Sequence, residues 1–185
     1  MNSSAKRTSF IVAAGVVVIG VVLAVSLHHS TSGPSSSSGG TSSKLLGNTY
    51  NGLVSEYGKP STTIQALKNG VGMYEFKKGS LIVSFVQNRV YQASYSLGKT
   101  PLSLGQAKKL ATTLMPADST AVTTRIGSSK EPVYVYHSTF LSKNFASEWF
   151  SDAQGNLHPG YFDLSFVNNK QHQVTEIDLN VGDGM

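Results

Sequence analysis

The chain predicts an α+β fold class: two similar helix-plus-antiparallel-sheet units forming one head, preceded by a single N-terminal transmembrane helix. Three observations carry that expectation. Residues 10–27 hold no charge and consist of Val, Ile, Leu and Ala apart from Phe10, Gly15, Gly20 and Ser26. A strand-turn-strand motif occurs twice, Ser84-Phe85-Val86-Gln87-Asn88-Arg89 and Ser165-Phe166-Val167-Asn168-Asn169-Lys170. Each copy is preceded by an amphipathic helix with clear capping residues.

The apolar leader comes first. As a helix it would rise about 27 Å, close to the ~30 Å hydrocarbon core of a bilayer. Lys6 and Arg7 precede it and no Lys or Arg follows until Lys44. The positive-inside rule then makes 1–9 a cytoplasmic n-region and 10–27 a single-pass signal anchor, with everything beyond outside the cell membrane. The competing reading is a signal peptide cleaved near Ser26, with Ala24 and Ser26 as the small residues and a secreted product; the length of the apolar run favours the anchor. The absence of cysteine excludes a lipidated cysteine, a disulfide framework and thiolate metal ligation. It also leans the reading toward a bacterial cell envelope.

Residues 28–43 contain eight Ser, three Gly, two Thr, one Pro and two His, with no aliphatic or aromatic side chain. Such a segment is expected to act as a flexible linker spanning about 20 to 24 Å. His28 and His29 read as solvated interface residues rather than metal ligands. The head follows as two units, 44–99 and 100–185, the second with an inserted helix at 140–150. Residues 44–185 hold 13 Lys and Arg against 10 Asp and Glu, so 13 − 10 = +3 of the chain's +5 lies there. That balance is too thin and too scattered for a nucleic-acid partner.

In the first unit Tyr50, Leu53, Val54 and Tyr57 share one helical stripe. Asn48 or Thr49 serves as N-cap, Gly58 as the stop and Pro60 lies beyond. In the second, Ser103 and Gln106 form a capping box ahead of Leu104, Ala107, Leu110, Ala111 and Leu114, and Met115-Pro116 ends the helix. One further strand is expected per unit, around Val71 to Lys77 and Pro132 to Ser138. The insertion places Leu141, Phe145 and Trp149 on a single helix face.

Period-two alternation then sorts the hairpin side chains. Leu81, Val83, Phe85, Tyr91, Ala93, Tyr95, Leu97, Phe162, Leu164, Phe166, Ile177, Leu179 and Val181 are expected to face the helices. The opposite face carries Ile82, Ser84, Ser96 and the candidate partner-binding residues Gln92, Ser94, Tyr161, Asp163, Ser165, Glu176, Asp178 and Asn180.

Gly47, Thr49, Leu53, Gly58 and Pro60 have the spacing of the helix-to-turn signature of the SmpA/OmlA-like small proteins of outer-membrane assembly, which the first unit resembles. The tandem layout is similar to that of the β-lactamase inhibitor protein. Both resemblances imply a partner-binding scaffold without catalysis, although the lipidated cysteine of the first and the disulfides of the second are absent.

No catalytic, cofactor-binding or metal-binding residue is assigned. His137, His158 and His172 lack the spacing of a helical zinc motif. Ser138, His137 and Asp163 can be grouped on paper, but no Gly-x-Ser-x-Gly elbow accompanies them. Glu148 and Asp152 read as a solvated helical pair rather than a glycosidase dyad. The expected function is therefore a membrane-anchored, extracytoplasmic protein-binding module, a scaffold or an inhibitor of an exported enzyme, whose partner is an envelope protein. The alternatives are binding of cell-wall polymer through Tyr161, Trp149 and the lysines, and a hydrolase centred on His137.

Overall fold

The computed structural model describes residues 45–152 and 155–182. The expected n-region, anchor and linker lie outside the described residues. Helix α1 (Tyr50–Tyr57) leads into strands β1 (Thr62–Lys68), β2 (Val71–Phe76), β3 (Leu81–Val86) and β4 (Arg89–Ser96). Helix α2 (Leu104–Thr112) leads into β5 (Thr120–Ile126) and β6 (Pro132–His137). Then come α3 (Thr139–Asn144), a 3₁₀ turn at Ser147–Phe150, β7 (Tyr161–Asn168) and β8 (Val174–Val181).

This corrects the expected fold class. The strands form one continuous eight-stranded antiparallel sheet, in the order β1-β2-β3-β4-β8-β7-β6-β5, rather than two helix-and-sheet units. Strand dominates, and no α-helix among the described residues exceeds nine residues. None is long and apolar enough to cross a membrane. The helical weight was overestimated because β1 and β5 escape hydrophobic periodicity. They are the two edge strands, and all but one residue of each is exposed. An edge strand with both faces wet shows no alternation to detect. Asn69 (φ 51°) and Gly70 (φ 81°) form the β1–β2 turn, the Asn-Gly pairing favoured where both central residues need positive φ.

Within the sheet each half is a four-strand meander entered from a helix. The two Ser-Phe-Val segments occupy the third strand of each: Phe85 is fully buried and Phe166 is 6% exposed. The halves join at β4 and β8, where Ala93 lies opposite Leu179 and Tyr95 opposite Ile177. The helices pack on the face carrying Leu81, Val83, Phe85, Ala93, Leu164, Ile177 and Leu179, contributing Leu53, Ala107, Ala111 and Leu141 to the same core. The Tyr50 and Tyr74 rings meet tilted by 51° with centroids 4.9 Å apart, and the Lys108 ammonium sits 4.0 Å above the Tyr134 ring.

Local capping explains the helix limits. Thr49 Oγ1 accepts from the Gly52 amide, and Gly58 (φ 81°) takes the positive φ that stops α1. The Ser103–Gln106 capping box starts α2. The insertion is not one helix from 140 to 150: Phe145 is extended (φ −122°, ψ 149°), so α3 ends and a 3₁₀ turn follows. Burial of both Phe145 (5% exposed) and Phe150 (1% exposed) draws the chain out of helical register.

Leu179, 1% exposed, sits on the seam between Ala93 and Leu164. Leu179→Ala is expected to cost about 3 to 5 kcal/mol by cavity formation. Urea denaturation should show a single transition at lower midpoint, because the sheet is continuous through that residue; two separated transitions would show that the halves unfold independently.

Candidate functional site

The sheet register arranges the face away from the helices in rows. One crosses all eight strands as Gln65, Met73, Ser84, Gln92, Asn180, Asp163, Val135 and Thr123. The next runs Glu75, Ile82, Ser94, Asp178 and Ser165. Ser96 opposite Glu176 opens a third, and His137 opposite Tyr161 lies at the far end of the sheet. The expected partner-binding residues Gln92, Ser94, Tyr161, Asp163, Ser165, Glu176, Asp178 and Asn180 thus all fall on one face.

No helix packs over this face among the described residues, yet its middle is not wet. Val135 is fully buried and stands outside the hydrophobic core on the helix side. Ser84 is 5% and Asp163 8% exposed, and the remaining central positions are half-buried. Arg125 reaches over Asp163 as part of the cover of these positions.

Two polar clusters organise the centre. Arg125, from β5, pairs with the Asp163 carboxylate and closes over it. Sequence reading placed Asp163 on the outside but missed Arg125, which lies in an edge strand with no periodic signal. The second cluster is Ser94 with Glu176 and Asp178. The Ser94 hydroxyl lies 3.2 Å from Glu176 Oε1 and hydrogen-bonds the Asp178 carboxylate. Burial, together with the charge and hydrogen bond of Glu176, raises Asp178 from 3.8 to about 6, against the opposing pull of Ser94.

Aromatic side chains gather at one end, where β4 and β7 begin and β6 and β8 finish. A β-bulge opposite Ser84 and Phe85 inserts Tyr91 as an extra residue. Tyr91 nonetheless packs against the core as expected, its ring 6.0 Å from that of Trp149, while its hydroxyl group hydrogen-bonds with Ser84. Burial raises its phenol pKa, partly offset by Ser84. Tyr161 contacts His137 and His158, with both pairs of ring centroids at 5.5 Å. Gly182 (φ 85°) makes this end possible, since a Cβ there would meet the Trp149 carbonyl at 2.4 Å.

The catalytic groupings drawn from sequence do not assemble. Ser138 is fully buried, donates to Asp118 Oδ1 at 2.6 Å and accepts the Leu141 amide as the N-cap of α3. Burial opposes ionisation of Asp118, but bonds from Ser138 and the Phe140 amide outweigh it and lower its pKa. Asp163 lies opposite Val135 rather than His137 and is held by Arg125. Asp152 is not a helical partner of Glu148: it organises a loop by accepting the Asn156 backbone and side-chain amides, both at 2.8 Å, with His158 at 3.4 Å. No group of three or more His, Asp or Glu side chains placed to hold a metal ion occurs among the described residues.

No family model and no curated protein matches the chain. Among solved structures, a cysteine-rich secretory protein from Staphylococcus aureus subsp. aureus Mu50 aligns at a TM-score of 0.37 and 12% identity, over 78% of this chain and 47% of that one. The chain spans about half the length of that protein. A likeness at that level identifies neither fold nor function.

The raised Asp178 gives a stability prediction. The native state holds this proton more tightly than the unfolded chain, so the group's contribution weakens as pH rises from about 4 to about 6 and is flat above. Asp178→Asn removes that penalty. The variant should be more stable at pH 7.5 by up to about 3 kcal/mol, taking 1.36 kcal/mol per unit. Its thermal midpoint, followed from pH 4 to pH 7.5, should lose the decline attributable to this site.

Proposed function

We propose that the chain is a non-catalytic protein-binding domain of the bacterial envelope, a scaffold or an inhibitor of an exported enzyme, that engages its partner with the uncovered sheet face. One observation supports the reading: among the described residues, the face of the eight-stranded sheet opposite the helices carries no helix. Its size suits a protein. Seven inter-strand steps of about 4.8 Å across strands of roughly 20 Å give on the order of 700 Å², near the ~800 Å² that each side contributes to a standard interface. Tyr161, at its end, is of the kind that anchors such contacts.

Placement outside the cell rests on Lys6, Arg7 and the apolar segment 10–27, which direct export with the domain either held at the membrane or released near Ser26. Cell-wall polymer is the weaker reading. The outward positions of β3, β4, β7 and β8 offer no lysine to an anionic polymer, and their one arginine, Arg89, donates to the Gly47 carbonyl.

The test uses bulk on the face. Gln92 and Asn180 are opposite one another, half-buried, and outside both polar clusters. Gln92→Arg with Asn180→Arg should leave the thermal midpoint within about 1 kcal/mol equivalent of the parent. It should abolish co-purification of the partner that the full chain, solubilised in detergent, captures reproducibly from envelope extracts. Unchanged capture by the double variant would refute use of this face.

A further inference from the structure

Along its strands the uncovered face changes sign. At the end where β4 and β7 begin, Lys68 stands opposite Val71 and Arg89 opposite Val86, with His137 at the same end and no Asp or Glu of the strands among them. Toward the other end Glu75 stands opposite Ile82, Asp178 opposite Ser94 and Glu176 opposite Ser96. The remaining charged strand residues of the face, Arg125 and Asp163, pair with one another. Between the two ends runs the row from Gln65 through Gln92 and Asn180 to Thr123. Apolar side chains lie among these groups: Val71 is 39% and Val167 46% exposed, and Met73, Ile82 and Val133 are half-buried. Resting on the reading of this face as a binding surface, we propose that it packs on the same face of a second copy of the chain, about a two-fold axis lying across the strands along the Gln65-to-Thr123 row.

The order of the charges selects this occupant. A uniformly basic or acidic partner matches one end of the face and is repelled at the other. The complementary surface carries the two signs in reverse order, and a copy turned end over end carries them so by symmetry. A two-fold across the strands sets Lys68 over the Glu75 end of the second copy's β1 and β2, and Arg89 over the Ser96 and Glu176 end of its β4 and β8. Each contact then occurs twice. Arg89 donates one N–H to the Gly47 carbonyl and keeps others for a carboxylate. A two-fold along the strands would set Lys68 and Arg89 over the basic end of the copy, like charge on like. On the axis itself lie the neutral amides of Gln92 and Asn180, and Asp163 beside its Arg125. The area fits as well: a face on the order of 700 Å² gives a pair burying about 1,400 Å² in all, inside the ~1,200–2,000 Å² of specific, stable interfaces.

The test is sedimentation equilibrium of the full chain in density-matched detergent over a dilution series. The parent should show a monomer–dimer equilibrium. Lys68→Glu sets like charge against Glu75 at both ends of the interface and should weaken the dimer about tenfold, as should Glu75→Lys. Thermal midpoints near that of the parent show that both variants fold. An equimolar mixture of the two should recover the parental dimer constant within about threefold, because each reversed charge then meets its opposite in the other copy. Residues 10–27 are the same in every variant, so these changes report on the head. A parent that stays monomeric, a dimer indifferent to both reversals, or a mixture that fails to recover would each overturn the proposal. Gln92→Arg with Asn180→Arg crowds four guanidinium groups onto the axis and should leave a monomer; a dimer that survives it also overturns self-pairing. A monomeric parent whose envelope partner is nonetheless lost in that double variant sinks self-pairing and leaves the binding face intact. A dimer abolished by the double variant, with envelope capture unchanged, supports self-pairing and moves the envelope partner off this face.

Discussion

The antiparallel pairing of β4 with β8 is the constraint on which the rest of the structure depends. Each half is a meander whose strands are close in sequence, whereas β4 and β8 meet across some eighty residues. Pairing Ala93 with Leu179 and Tyr95 with Ile177 places the apolar residues of both halves on one side and gives the helices one continuous surface. The same register brings Ser94 beside Asp178 and Gln92 beside Asn180 on the other side. A slip of one residue at this seam would put the core face of one half in line with the wet face of the other.

Among the described residues the helices cover one face, and polar groups lie in a partly dehydrated setting on the other. Arg125 neutralises Asp163, and Ser94 bridges Glu176 and Asp178. Val135 is buried without belonging to the main core. Such a face is partly preorganised for association, since several of its side chains are already held by neighbours and lose less freedom on contact. The bulge at Tyr91 and the close approach of Gly182 to Trp149 shape one end of it. The edges are poorer templates for pairing: β1 and β5 both carry register shifts and a basic residue, Lys68 and Arg125.

The exposed edges also explain where pattern reading fell short. Alternation reports a strand only when one of its faces is buried, so β2, β3, β4, β6, β7 and β8 were legible while β1 and β5 were not. Without those two strands, helices took too large a share of the expected architecture. Tyr91, read as inward by its parity with Ala93, does pack against the core, although a bulge at this point adds one residue to β4 that alternation does not reveal. Glu148 and Asp152 looked like helical neighbours until Phe145 and Phe150 both required burial and broke the helix between them.

Local chemistry by itself determined the helix caps at Thr49 and Ser103, the stop at Gly58 and the outward side of Gln92, Ser94, Tyr161, Asp163, Ser165, Glu176, Asp178 and Asn180. Those features depend on spacings of two to four residues, which a sequence displays directly. Tertiary structure alone decided that the two meanders share one sheet, that Arg125 reaches Asp163, that Ser138 serves Asp118 rather than His137, and that Ser94 joins two carboxylates from a strand some eighty residues away. Those contacts form between segments far apart in the chain, where loop-closure entropy is offset by the whole of the buried apolar surface and no short window of sequence records the register.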